Sequence, residues 1–170
     1  MDLIITRERL AAWEPCGSYP AERIAELIPP DGVHLREALQ RSDVPVEDLI
    51  WLATRRNLLP ESELRLFACR CARRALDRIA KPDPRSIASI ETAERYARGE
   101  ATAGELAASQ SSAWAAVRQA EAAARAAAWA ADAARAATWA ALAADEAAER
   151  ATQIADLLTV IDRLEASCEP

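Results

Sequence analysis

Histidine and glycine are scarce in this chain of 170 residues, which contains one histidine and four glycines. A Ser/His/Asp or Cys/His catalytic machine would have to use His34, and no nucleophile stands at a matching spacing. We therefore interpret His34 as a surface or helix-face residue. The glycines are not clustered, so the sequence has no glycine-rich phosphate loop. These absences predict a protein that is not an enzyme and has no catalytic residues.

Cysteine is also sparse, and the four cysteines do not form the dense framework of a small secreted domain. Cys69 and Cys71 are two positions apart on a predicted helix, so they point to nearly opposite sides and cannot chelate a common ion. We interpret both as packing residues and expect no metal and no cofactor. The sequence leaves a disulfide between Cys16 and Cys168 open. The N-terminus has no basic region followed by a long apolar run, which favours a cytoplasmic location.

Long uncharged runs are absent as well. The alanine-rich stretch 113–144 is interrupted by five charged residues, so we expect no membrane association. They are Arg118, Glu121, Arg125, Asp132 and Arg135. The net charge is −6 and the isoelectric point is near 5.0. This acidity argues against direct, general binding of nucleic acid.

Alanine and proline are unevenly distributed, and their positions predict an all-α fold. Twenty-six of the 50 residues from 101 to 150 are alanine, the strongest helix former. Eight of the nine prolines precede residue 85, where they frame short helices. The sequence has no period-2 alternation, so no strand is expected. The prediction is a helical bundle in which short N-terminal helices pack on longer, antiparallel helices rich in alanine and tryptophan.

Capping residues set the predicted helix boundaries. Thr6 caps a first helix, Asp83 followed by proline starts another that ends at Gly99, and Thr102 with Glu105 forms a capping box. The predicted helices cover residues 7–13, 21–28, 33–40, 46–56, 61–80 and 84–99. Residues 1–60 are predicted to form a short-helix segment and residues 61–170 an alanine-rich bundle, together making one compact unit.

The predicted core combines one apolar stripe with the tryptophans. The stripe lies on helix 61–80 and comprises Leu64, Phe67, Ala68, Cys71, Ala72, Ala75, Leu76 and Ile79. The five tryptophans, at positions 13, 51, 114, 129 and 139, supply bulk that alanine lacks, and we interpret them as core residues.

The C-terminal region carries a heptad pattern. Ile154, Leu157, Ile161 and Leu164 define its a and d positions, and the same frame continues upstream through alanines such as Ala147. The frame fails further upstream, which indicates a turn near 118–123 between helices of about 103–119 and 122–166. A single long helix from residue 103 onward is the alternative that the sequence leaves open.

One group of basic residues stands out on helix 61–80 and just beyond it. Arg70, Arg73, Arg74 and Lys81 lie on the face opposite the apolar stripe. One hypothesis is a docking patch for an acidic partner surface. The rival hypothesis is that these residues pair with acidic side chains of residues 100–170 in the same chain.

Residues 61–150 resemble the alanine-rich helical immunity proteins of bacterial polymorphic toxin systems and similar bacterial and phage proteins. The resemblance rests on LFACRCARRAL at 66–76, ERYARGEAT at 94–102 and the Ala/Trp/Arg repeats that follow. Histidines that some such proteins carry in their alanine-rich helices are absent here. The resemblance implies a protein that binds and neutralises another protein without chemistry of its own.

Three functions therefore compete. The first is a non-enzymatic inhibitor of the immunity type that occludes a partner protein, such as a toxin or an enzyme of a host or phage. The second is a phage-encoded or regulatory acidic inhibitor of a nucleic-acid-binding machine, motivated by the net charge of −6 over residues 100–170. The third is a structural module that self-associates, for instance as a homodimer.

Overall fold

The computed structural model describes the backbone of residues 3–55, 57–128 and 135–167, and the side chains of these residues outside 116–145. Helices dominate this part of the chain, which confirms the predicted all-α, helical-bundle fold class. The elements are β1 (Ile4–Ile5), α1 (Arg7–Ala12), α2 (Ala21–Leu27), β2 (Val33–His34), α3 (Leu35–Leu39), α4 (Val46–Ala53), α5 (Glu61–Asp77), α6 (Pro84–Ala97), α7 (Ala103–Ala128) and α8 (Arg135–Ala166).

The structure groups these elements into two compact units. Residues 1–60 and 150–170 form the first, here called the core unit, and residues 61–149 form the second, here called the helical unit. The sequence prediction had placed residues 150–170 with 61–149. In the structure the boundary falls inside α8, because the leucine- and isoleucine-rich end of this helix belongs with the short N-terminal elements.

Two short strands depart from the expectation that the chain has no strand. β1 and β2 pair antiparallel, with Ile4 opposite His34 and Ile5 opposite Val33. A strand of two residues is too short to show alternation in sequence. The turn before β2 requires Gly32, whose φ is +84° and where a Cβ would lie 2.6 Å from Ile4 Cγ2. The helix predicted over 33–40 accordingly begins only at Leu35.

The predicted helix caps are confirmed. Thr6 Oγ1 accepts a hydrogen bond from the backbone N–H of Arg9 at 3.2 Å. Thr102 Oγ1 accepts from the N–H of Glu105 at 3.2 Å, and the Glu105 carboxylate accepts from the N–H of Thr102 at 2.8 Å, which completes the capping box. Asp83 accepts from the N–H of Arg85 at 2.8 Å. Hydrogen bonds from the Arg85 side chain and backbone lower the pKa of Asp83 to about 2.

The core unit buries side chains from almost all of its elements. Ile5, Leu35 and Leu58 are almost fully buried, and α8 contributes Leu157, Val160 and Ile161. The heptad prediction is thus confirmed for Leu157 and Ile161, whereas its outer positions, Ile154 and Leu164, are only half-buried. Its upstream continuation is wrong at Ala147, which is exposed. An alanine pattern alone does not identify a packed face, because alanine also occupies solvent-facing helix positions without cost.

In the helical unit, α6 packs against both α5 and α7. The Arg65 guanidinium lies 4.9 Å from the centre of the Tyr96 ring, and Cys69 Sγ lies 3.9 Å from the carbonyl oxygen of Ile90. Of these two contacts, the one nearer the start of α5 lies nearer the end of α6, as antiparallel helices require. Among the described residues, no helix combines the length and the apolarity that crossing a bilayer requires.

The predicted stripe on α5 is wrong for several residues. Phe67 is buried as expected, but Ala68 and Ala75 are exposed and Ile79 is 51% exposed. Cys69, outside the stripe, is buried instead. The reason is that α6 packs on the ridge of residues 65, 69 and 73, which lies one residue, about 100°, further around the helix than 64, 68 and 72.

α7 is continuous from Ala103 to Ala128, so the turn predicted near 118–123 is absent. The failure of the heptad frame does not end the helix, because alanine-rich sequence favours helical backbone without a heptad pattern. Residues 129–134, which bear on the single-helix alternative, lie outside the described residues. Cys168 also lies outside them, whereas Cys16 carries a free thiol.

The tryptophan prediction is wrong for the three tryptophans whose side chains the structure describes. Trp114 is 64% exposed, and Trp13 and Trp51 are half-buried. Arginine guanidinium groups lie over the rings of the latter two, 5.3 Å from the centre of Trp13 and 4.4 Å from the centre of Trp51. Such cation–π contacts keep one ring face near solvent. The side chains of Trp129 and Trp139 lie outside the described residues.

Candidate partner-binding surface

Arg73 of the predicted docking patch is held by a carboxylate of the neighbouring helix. Its Nε and one terminal nitrogen each donate to a carboxylate oxygen of Glu94 at 2.7 Å, which is the parallel, two-bond geometry of strong arginine–carboxylate pairs. The Arg73 hydrogen bonds lower the pKa of Glu94. The Glu94 side chain is only 18% exposed, so the pair links α5 to α6 from within their contact.

Arg74 is held in a similar way by Glu149 of α8. Its Nε lies 3.0 Å from both carboxylate oxygens of Glu149, and a further guanidinium nitrogen lies 3.4 Å from Cys71 Sγ. Arg78 approaches the same carboxylate at 3.8 Å. Glu149 belongs to the acidic region that the intramolecular hypothesis named, whereas Glu94 lies outside it.

The other two residues of the predicted patch differ in exposure. Arg70 is half-buried on α5, and Lys81 is exposed in the connection between α5 and α6. The four basic residues therefore do not form one uniform patch. Two of them already bind carboxylates of this chain, and Lys81 presents its charge to solvent.

Two large apolar side chains are exposed in the helical unit. Ile79, which follows α5, is 51% exposed, and Trp114 of α7 is 64% exposed. Among the described residues these are the two exposed large hydrophobic side chains. The sequence contained a signal for Trp114 that our interpretation missed: the polar residues 109–112 immediately before it.

The packing register brings Ile79, Lys81 and Trp114 to one end of the helical unit. Arg95 of α6 pairs with Glu105 of α7 at 3.2 Å. Trp114 lies nine residues further along α7, about 13 Å at 1.5 Å per residue. Because α6 runs antiparallel to α7, the same distance counted from Arg95 toward the start of α6 leads to its first turn. The residues that connect α5 to α6 lie at this end, so we name Ile79, Lys81 and Trp114 the end surface.

His34 and Cys69 have structural surroundings in this fold. His34 Nδ1 accepts from the N–H of Arg36 at 3.2 Å and caps α3, while Nε2 lies 3.2 Å from a Glu165 oxygen. Both ring nitrogens of His34 thus face groups of this chain. Burial raises the pKa of the Cys69 thiol, which fits the interpretation of Cys69 as a packing residue. The described residues contain no group of three or more His, Cys, Asp or Glu side chains that could hold a metal ion.

Comparison with known proteins adds no relative: no family model, no curated protein and no solved structure matches the chain.

Proposed function

We propose that this protein is a non-enzymatic inhibitor of the immunity type, which binds a partner protein through the end surface and acts by occluding it. The observation that carries the proposal is the 64% exposed side chain of Trp114, at the same end of the helical unit as the exposed Ile79 and Lys81. Tryptophan is enriched among the residues that dominate binding energy in protein interfaces. The resemblance of residues 61–150 to immunity proteins supports the same function.

Burial of Trp114 by a partner would supply a large part of the binding free energy. The exposed part of such a ring offers on the order of 100 Å² or more, about 3 kcal/mol at 25 cal/mol per Å². Ile79 adds further apolar area at the same end. The complementary site on the partner is therefore an apolar pocket that receives the indole ring.

Charge defines the surroundings of that pocket. Lys81 is exposed, and Arg78, three residues before it, is 51% exposed. Acidic residues on the partner would meet these cations. We assign Arg73 and Arg74 a structural role, because their hydrogen bonds to Glu94 and Glu149 are already formed in this chain. The partner is a toxin or another enzyme of a host or phage, and the free thiols of Cys16 and Cys69 fit action in the reducing cytoplasm.

The test compares the full chain with Trp114→Ala in quantitative capture from the source organism, followed by titration of the purified partner. We expect Trp114→Ala to weaken binding by at least about 2 kcal/mol, roughly 30-fold, with a change in unfolding free energy below about 0.5 kcal/mol. Lys81→Gln should weaken binding less and make it less sensitive to salt. Ser112→Ala, also exposed on α7 but on its other side, is the matched control and should bind normally.

Three results would contradict the proposal. One is a captured partner that binds Trp114→Ala and the native chain equally. Another is light scattering that shows a native dimer which Trp114→Ala dissociates, since this would make the end surface a self-association site. The third is a hydrolase activity that survives repurification and is lost on His34→Ala.

A further inference from the structure

A partly enclosed cavity of about 120 Å³ lies in the core unit. The loop between α1 and α2 forms one wall with Pro15 and Tyr19, and the opposite wall includes Ala38 of α3 and Leu49 of α4. Protein interiors are densely packed and leave few voids larger than a water molecule. A cavity of this size is thus a feature of the fold that requires an explanation.

The cavity lining is mostly apolar, and Tyr19 and Asp48 lie together in it. There the Tyr19 hydroxyl donates a hydrogen bond of 2.5 Å to Asp48 Oδ2. Burial and the Asp48 carboxylate raise the pKa of Tyr19, so the tyrosine hydroxyl stays protonated. Its one proton is used in the hydrogen bond to Asp48. Asp48 therefore retains lone pairs that can accept a further hydrogen bond.

The cation at the rim does not compete for that carboxylate. The Arg41 guanidinium donates to both carboxylate oxygens of Asp43, at 2.9 and 2.6 Å, and to the carbonyl oxygen of Leu27 at 3.0 Å. The cavity thus offers apolar walls and one acceptor that is fixed by Tyr19. Because this acceptor is a carboxylate, it disfavours a ligand that carries a negative charge.

The loop that closes the cavity is short and locally held. Glu14 adopts a φ of +51°, a left-handed conformation that is uncommon outside glycine. A turn follows in which the N–H of Tyr19 donates to the carbonyl oxygen of Cys16 at 3.0 Å. The Cys16 thiol is exposed at the edge of the cavity, so it reports on access to this site.

From this geometry we infer that the cavity binds a small neutral aromatic molecule of one ring that carries a hydrogen-bond donor, with Asp48 as the acceptor. Its volume is close to that of the engineered apolar cavity of about 150 Å³ that takes up benzene, so one six-membered ring is the appropriate size. A donor on that ring satisfies the lone pairs that Tyr19 leaves on Asp48. The inference is independent of the function proposed for the end surface.

The probe is phenol, added to the full-length chain and followed by ligand-observed NMR and by the alkylation rate of Cys16, quantified by peptide mass spectrometry. Phenol should bind saturably and slow alkylation of Cys16. Anisole has the same ring but no donor, and it should bind about tenfold more weakly. Asp48→Ala should reduce this preference to less than about twofold.

Filling the cavity is the second arm of the test. Ala38→Leu should abolish phenol binding, and Val44→Phe fills the same cavity from another wall should the first variant fail to fold. Ser18→Ala, on the same loop but outside the cavity lining, is the control and should bind phenol normally. The inference is overturned if the native chain shows no saturable binding up to the solubility limit of phenol. Equal binding of phenol and anisole, or unchanged binding by the filled variants, would overturn it as well.

Discussion

Among the side chains that the structure describes, the core unit and the helical unit differ sharply in how many apolar ones are buried. Of the 21 buried hydrophobic side chains that the structure describes, eighteen lie in the core unit. The three in the helical unit are Phe67, Cys69 and Leu106. Both exposed large hydrophobic side chains of the described residues, Ile79 and Trp114, also lie in the helical unit.

This difference follows from residue size and not from the amount of helix. The core unit uses leucine, isoleucine and valine, each of which contributes roughly 1.5–3 kcal/mol when fully buried. The described part of the helical unit relies on alanine, whose methyl group buries little area, and on ion pairs between helices such as Arg73 with Glu94. Helix propensity keeps such segments helical even where large apolar side chains stay exposed to solvent.

The largest expected effect lies in the core unit. Leu157 is 0% exposed, so Leu157→Ala removes three buried carbon atoms from a dense site and should cost about 4 kcal/mol of unfolding free energy. Leu164→Ala, two turns further along α8 at a half-buried position, is the control and should cost about 1 kcal/mol. Urea denaturation measures both. Equal costs for the two variants would contradict the assignment of this helix end to a packed core.

Two glycines with similar backbone conformation allow the packing of the two units to be compared. Gly32 in the core unit and Gly99 in the helical unit have φ values of +84° and +79°. A Cβ at Gly32 would lie 3.0 Å from the backbone oxygen of Ile5, whereas at Gly99 nothing lies within 4 Å. Gly99→Ala should therefore cost only the left-handed strain, about 1 kcal/mol, and Gly32→Ala about 3 kcal/mol. Thermal unfolding of both variants tests this, and similar costs would mean that packing around Gly32 is loose.

The smallest expected effect concerns an ion pair of the helical unit. Arg73→Gln should cost about 1 kcal/mol at pH 7, because the two-bond pair with Glu94 is better formed than an average surface pair. Arg73 lowers the pKa of Glu94, so this stabilisation is present above the pKa of an unfolded glutamate, about 4.3, and is lost as the pH falls below it. The stability difference between the native chain and the variant should thus shrink progressively as the pH falls below about 4.3. A difference that stays constant from pH 7 to pH 3 would show that Arg73 acts through packing alone.

Local signals in the sequence were sufficient for the helix starts. Thr6, Asp83, Thr102 and Glu105 act within one turn of their own positions, so their chemistry determines the outcome without knowledge of the rest of the fold. The all-α class was predictable for a related reason, since alanine abundance and proline placement act along the chain. Neither signal depends on which helix packs on which.

Most of the errors concern contacts between distant residues, and the turn predicted near 118–123 is an exception. The buried face of α5 depends on where α6 lies, and no property of residues 61–77 alone determines this. Large aromatic residues are usually buried, and the sequence therefore predicts Trp114 to be a core residue. In the structure Trp114 is exposed, because few side chains of its unit are buried in the described part. The Tyr19–Asp48 hydrogen bond joins residues 29 positions apart, and no spacing pattern in the sequence marks it.

Native-state hydrogen exchange tests the contrast between the units most directly. Amides of α4 and of residues 157–161 in α8 should exchange only when the core unit unfolds, because their side chains form its core. Amides of α6 and of residues 106–115 should exchange through smaller openings, at least about 100-fold faster, a difference of about 2.7 kcal/mol. Equal protection of the two sets would contradict the account, since it would mean that the helical unit is as firmly held as the core unit despite burying far fewer side chains in its described part.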